Sequence, residues 1–190
     1  MNSYTPKIQV NSSSKKNALS KLHDFSITGN SKEMRQQMLD DTFVLKDIAI
    51  LGQWTTIYAA PNTGKTLLSL WLLREALEDI RIDGHYVFYV NADDNFKGIV
   101  EKTELAEKWG FHMLAPNHNG FNSIQITSLM SELAETGHAK GVVIILDTLK
   151  KFTDLMQKQE ATQFGNTSRG FVSAGGTLIC LAHTNKHKSA

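Results

Sequence analysis

The stretch Trp54-Thr55-Thr56-Ile57-Tyr58-Ala59-Ala60-Pro61-Asn62-Thr63-Gly64-Lys65-Thr66 decides how the rest of the chain is read. Its first half is dense with β-branched and aromatic residues, which favour a strand. It breaks at Pro61-Asn62-Thr63-Gly64, residues that favour a turn. Leu67-Leu68-Ser69-Leu70-Trp71-Leu72-Leu73-Arg74-Glu75-Ala76-Leu77 follows, rich in helix formers. Strand, tight loop, Gly-Lys-Thr and helix succeed one another in the order a phosphate-cradling loop requires, with backbone N–H groups and the positive end of the helix facing an anion. In that reading Ala60, Pro61, Asn62, Thr63, Gly64, Lys65, Thr66 and Leu67 surround the phosphates. Lys65, expected to stand exposed on the loop, reaches the outer ones, and the Thr66 hydroxyl ligates magnesium. The first position of the G-x-x-x-x-G-K-[ST] pattern is Ala59 rather than glycine, which removes only the freedom to take positive φ. The competing reading is a chance Gly-Lys-Thr at an ordinary helix start, and the strand and helix on either side weigh against it.

At 190 residues with 41% hydrophobic content, the chain suits one domain with a sizeable core. A formal net charge of +1 asks for no strongly charged partner, although a local basic strip for nucleic acid is compatible with it. The one cysteine, Cys180, lies in the apolar run Leu178 to Leu181 and reads as a small core residue without an intramolecular disulfide. No apolar run reaches membrane-spanning length and the N-terminus has no hydrophobic signal core, so the expectation is a soluble, cytoplasmic protein with no membrane partner.

Outward from the loop, residues 1–40 are poor in large apolar side chains and read as a flexible tail. Ser31 to Leu39, with Met34 and Met38, is a candidate short helix within it. Residues 41–190 carry the domain. His85 to Val90, Phe111 to Leu114, Gly141 to Asp147 and Thr177 to Ala182 read as further strands. Helices are expected through Phe96, Ile99, Val100, Thr103, Ala106 and Trp109, through Leu129 to Ala134, and through Ala161 to Val172, with Gly110 and Gly137 as stops. Five strands alternating with four helices predict an α/β fold: a mainly parallel sheet of about five strands flanked by helices in three layers, α/β/α.

Ligands of such sheets bind beyond the carboxyl ends of the strands. That rule selects the loop at 59–66, Asp93-Asp94, Asp147-Thr148 and His183 to Lys186. Asp147 closes a strand that carries no other charge and is the natural magnesium carboxylate; the alternative is an N-cap for the next segment, with Thr148 holding a bridging water. Asp93 is the choice for orienting an attacking water. Asp94 is then a cap for the following helix or a support, one of the two aspartates being expected to cap it. His183 is placed to sense a terminal phosphate, and a histidine bonded within the core is the plainer alternative. Lys186, His187 and Lys188 are candidates for a phosphate contact or a solvated end.

The Ala-Pro-Asn-Thr-Gly-Lys-Thr loop, the Tyr-Val-Asn-Ala-Asp-Asp and Ile-Ile-Leu-Asp-Thr-Leu strand ends and the Leu-Ala-His-Thr-Asn-Lys ending together resemble RecA-like P-loop ATPase domains. Among these, and within the wider AAA family of ATPases, the order is most similar to the RepA-like branch of hexameric replicative helicases of plasmids and mobile elements. The resemblance covers about residues 43–188. It implies ATP and Mg2+ as cofactors, Lys65 as the phosphate lysine, Asp147 as the Walker B aspartate, Asp93 at the catalytic glutamate position and His183 as the sensor. It further implies single-stranded DNA and a homo-oligomer, a hexamer, as partners, and a chain lacking the family's C-terminal strands and arginine finger. The second reading is a nucleotide-dependent assembly or regulatory module without strand separation. A small-molecule kinase ranks last, because none of the four arginines (Arg35, Arg74, Arg81, Arg169) lies in an obvious lid.

Overall fold

The computed structural model describes residues 12–37, 42–154 and 156–184. Met38, Leu39, the expected boundary near Asp40 and the basic residues Lys186 to Lys188 lie outside them. Two compact units emerge, Met1–Met38 and Leu39–Ala190. The first holds α1 (Ser12–Asp24) and α2 (Ser31–Gln37). Helix α2 begins at Ser31 as its first helical residue, and Asn30 rather than Ser31 stands in the capping position, its carbonyl accepting from the Met34 N–H at 2.9 Å. Helix α1 occupies residues whose composition suggested a tail; Ala18, Leu19, Lys21 and Leu22 are good helix formers, and Lys21 and His23 sit favourably at its negative end.

The second unit opens with a small antiparallel hairpin, β1 (Phe43–Leu45) and β2 (Ala49–Ile50). Then come β3 (Trp54–Ala59), α3 (Lys65–Glu78), β4 (Val87–Asn91), α4 (Phe96–Trp109) and β5 (His112–Leu114). The chain continues through α5 (Gln125–Glu135), β6 (Val143–Asp147), α6 (Lys158–Ser173) and β7 (Thr177–His183). The five long-range strands form one sheet in the order β3-β7-β6-β4-β5, and every pairing is parallel. The expected five-stranded α/β architecture is thus present, with helices on both faces. Strand β4 begins later than its apolar run suggested: Asp83 accepts a hydrogen bond from the His85 N–H at 2.9 Å and winds Gly84–Tyr86 into one 3-10 turn.

Both faces of the sheet are apolar, which is why its strands read as continuous hydrophobic runs. Val87, Tyr89, Val143, Ile145, Ile179 and Leu181 pack against Leu70, Leu73 and Ala76 of α3 and Ala106 of α4. Val90, Ile144, Leu146, Leu178 and Cys180 face Ile126 and Met130 of α5 and Phe164 and Phe171 of α6. Each large side chain buried in this way contributes about 1.5–3 kcal/mol. Phe96 and Val100, expected on the buried stripe of α4, are exposed instead.

Topology fixes where the polar strand ends meet. From β3 the chain passes over β7 and β6 to reach β4 and β5, then turns back to β6 and β7. The reversal opens a crevice at the carboxyl ends of the neighbouring strands β4 and β6. Register places Asn91 opposite Asp147, and Ala59 opposite His183. Because side chains alternate along a strand, Asn91, Asp147 and His183 share parity with the face that carries α3 and α4.

Candidate functional site

Between β3 and α3 the backbone turns through Gly64, whose φ of 83° only glycine adopts freely. The Thr63 hydroxyl donates to the Ala60 carbonyl at 2.7 Å and ties the loop together. Ala59 is the last paired residue of β3, so the position where the motif has glycine makes no demand for positive φ here. Lys65 is not exposed as expected. It is buried at 9% exposure because its ammonium folds back to donate to the Ala59 carbonyl at 3.0 Å and the Ala60 carbonyl at 2.9 Å. The same Nζ lies 3.2 Å from His183 Nδ1. An ammonium has no lone pair, so Nδ1 is the acceptor and the ring proton of a neutral His183 sits on Nε2.

Thr66 follows on the first turn of α3 and donates its hydroxyl to Asp147 Oδ2 at 2.8 Å. The buried Tyr89 hydroxyl donates to the same oxygen at 2.7 Å. Asp147 therefore caps nothing; its carboxylate is held by one donor from α3 and one from β4. Thr148 does not face the cleft either, since its hydroxyl donates to the Leu181 carbonyl at 2.9 Å inside the fold.

The two aspartates after β4 part company. Asp94 accepts from the Asn91 amide at 2.9 Å and pairs with the Lys102 ammonium from α4. Lys102 also stands 3.6 Å from Asp147 Oδ2. Asp93 turns towards the opposite wall, 3.5 Å from Lys151, 3.7 Å from Lys150 and 3.9 Å from His183 Nε2. Neither caps α4: Asn95 does, its side chain accepting from the Gly98 N–H at 3.0 Å.

Burial pushes the Tyr89 hydroxyl well above its ordinary pKa, and the adjacent Asp147 carboxylate adds to this. For Asp94, burial alone would raise the carboxyl, but the hydrogen bonds from Lys102 and Asn91 with the lysine charge hold it below its ordinary value. Cys180 is pushed up to about 12 by burial, as befits a core thiol.

Lys65, Thr66, Asp93, Asp94, Asp147 and His183 thus line one cleft of about 500 Å³, with Asn62, Thr63, Gly64 and Leu67 on its loop side. Asn91, Tyr89 and Lys102 were not foreseen. Lys102 falls three residues after Ile99 and four before Ala106, so its place on the inward side of α4 was readable from helical spacing. Among the described residues no three His, Cys, Asp or Glu side chains converge into a protein-only metal cage. The donor set instead suits magnesium, which takes hard oxygen ligands from one or two carboxylates and leaves the rest to water and phosphate. The Thr66 and Asp147 oxygens are adjacent, and Asn91 Oδ1 is buried without a partner. No described helix is long and apolar enough to cross a membrane. No protein-family model matches the chain. No curated protein matches it either.

Proposed function

We propose that this chain is a RecA-like P-loop ATPase that binds ATP with Mg2+ in the cleft between α3, β4, β6 and β7. One observation carries the reading: the Thr66 hydroxyl, directly after the loop lysine, is bonded to the strand-end carboxylate of Asp147. A Gly-Lys-Thr loop by chance has no reason to meet an aspartate 81 residues away at the carboxyl edge of a parallel sheet. Loop N–H groups from Asn62 to Leu67 would receive the phosphates, with Ala60 and Pro61 at the start of the loop beside them. Lys65 would exchange its carbonyl partners for phosphate oxygens, and Thr66 and Asp147 would hold the cation. Bound there, Mg2+ would offset phosphate charge as it develops. Asp93 would orient the attacking water and His183, bridging Lys65 and Asp93, would respond to the terminal phosphate. Action on single-stranded DNA by a homo-oligomer, as in RepA-like helicases, belongs to the same proposal.

A second reading, a nucleotide-gated assembly module that does not hydrolyse, draws support from Asp93, which is engaged with Lys150 and Lys151 on the far wall. Calorimetry with Mg·ATP tests the first step. Wild type is expected to bind and Lys65→Ala to lose most of the affinity while keeping its fold; unchanged affinity in a folded variant overturns the assignment. ATP turnover with and without single-stranded DNA, alongside mass with and without ATP, separates enzyme from module.

A further inference from the structure

Lys102 is an unusual guest in this cleft. Its side chain is 13% exposed, and its ammonium lies between the carboxylates of Asp94 and Asp147. Both carboxylates are already oriented by neutral donors, Asn91 for the first and Thr66 with Tyr89 for the second. Beside them Asn91 Oδ1 is buried and unpartnered, on an amide whose nitrogen bonds Asp94. Two carboxylates and a free amide oxygen make a hard-oxygen set of the kind a divalent cation takes. One tethered monovalent cation, the Lys102 ammonium, pairs with the two carboxylates and leaves the amide oxygen without a partner. The backbone makes room for this: a Cβ on Gly98, one turn before Lys102, would approach Asp94 Oδ2 to 2.9 Å.

We propose that Lys102 is a built-in cation that occupies the divalent-ion position of the nucleotide-free protein. It keeps Asp94 and Asp147 apart in charge and together in space, and it keeps free metal out until the metal arrives on the nucleotide's phosphates. The arrival step rests on the nucleotide reading above; the exclusion of free metal does not. Charge alone gives the direction. Asp94, Asp147 and Lys102 sum to one negative charge, too little to draw in a divalent ion against the ammonium, whereas the two carboxylates without Lys102 match it. Removing a positive charge a few ångströms from a divalent ion is expected to raise its affinity by about tenfold or more.

Manganese binding to the nucleotide-free protein, read from loss of the free-ion EPR signal, tests this. Wild type and Lys102→Arg are expected to bind Mn2+ weakly. Lys102→Met is expected to bind it about tenfold more tightly or better, with the gain abolished in the Lys102→Met/Asp94→Asn double variant. Lys102→Gln, which retains a donor for Asp94, replaces the methionine variant if that one does not fold. Manganese affinity no better than wild type in the folded neutral variant overturns the proposal, as does a gain that survives Asp94→Asn. Calorimetry of wild type with Mg·ATP keeps the two ideas apart. ATP binding without the manganese gain defeats the Lys102 role alone, and the manganese gain without ATP binding defeats the nucleotide reading and leaves metal exclusion standing.

Discussion

Asp147 is the residue on which three elements agree, because β6 presents it, α3 supplies the Thr66 donor and β4 supplies Tyr89. Removing one donor leaves a buried acceptor less satisfied, so Tyr89→Phe should cost about 1–3 kcal/mol in urea denaturation. The substitution also has a pH signature. The folded state keeps Tyr89 protonated above the ordinary value of 10.0, where an unfolded tyrosine ionises. Its contribution is complete below pH 10 and is lost as pH rises beyond it, so the stability gap between wild type and Tyr89→Phe should narrow from pH 10 upward. Asp94 acts in the opposite range. Its folded carboxyl titrates below the ordinary 3.8, so the unfolded chain takes up the proton first on acidification. Its contribution is present above that value and fades as pH falls through it. Asp94→Asn should therefore show a shallower acid limb than wild type in a series of urea midpoints from pH 5 to pH 2.

Helix α3 shows how an element can serve the site at one end and carry strain at the other. At its N-terminus Gly64 lets the loop turn and aims Lys65 and Thr66 at the sheet edge. At its C-terminus the Arg81 N–H bonds the Ala76 carbonyl at 2.9 Å, which obliges Ile80 to adopt a φ of 54°. A β-branched residue in that region is strained by roughly 1–2 kcal/mol, and Ile80, 88% exposed, recovers nothing from packing. Ile80→Gly removes the strain but frees the unfolded chain, at a cost of about 0.4–1 kcal/mol. A net gain of about 0.5–1 kcal/mol is expected in the urea midpoint, and a loss would show that Ile80 has a packing partner in solution. Helix α4 gives the contrary case. An alanine at Gly98 would raise helix propensity by about 0.8–1 kcal/mol, yet its methyl would press on the whole Asp94 side chain, Cβ included at 3.1 Å. Gly98→Ala should therefore destabilise, and the Asp94 share of the acid limb should vanish with it. Neither feature was visible beforehand. Periodicity names the face of a helix, but an end conformation and the reach of a side chain across a turn depend on the partner element.

Across the whole molecule, the alternation of strands and amphipathic helices was legible because the inner strands β4, β6 and β7 are covered on both faces. Strand order was not, since a crossover of one strand looks like a crossover of three until the packing is known. The chosen strand ends nevertheless surround one cleft, because parallel register sends every carboxyl end the same way. What composition hid was Lys102, a charged residue on a packed face, and α1, whose few apolar residues resemble those of a tail. The arrangement has a consequence for the protein's response to ligand. A nucleotide that binds only the folded state adds about 2.7 kcal/mol of stability at one hundred times its dissociation constant. Core amides that exchange by global unfolding, as those of the central strands β6 and β7 should, would slow together by the corresponding hundredfold. Amides beyond that limit report contact, and they should gather where the carboxyl ends gather: the loop 60–67, residues 91–95 after β4, and Asp147 and His183. The opposite edge, including Gly84–Tyr86, should gain no local protection. Hydrogen exchange with and without Mg·ATP reads both effects at once. Local protection confined to the amino-terminal edge, or spread evenly over both edges, would remove the nucleotide from the crevice that the topology builds.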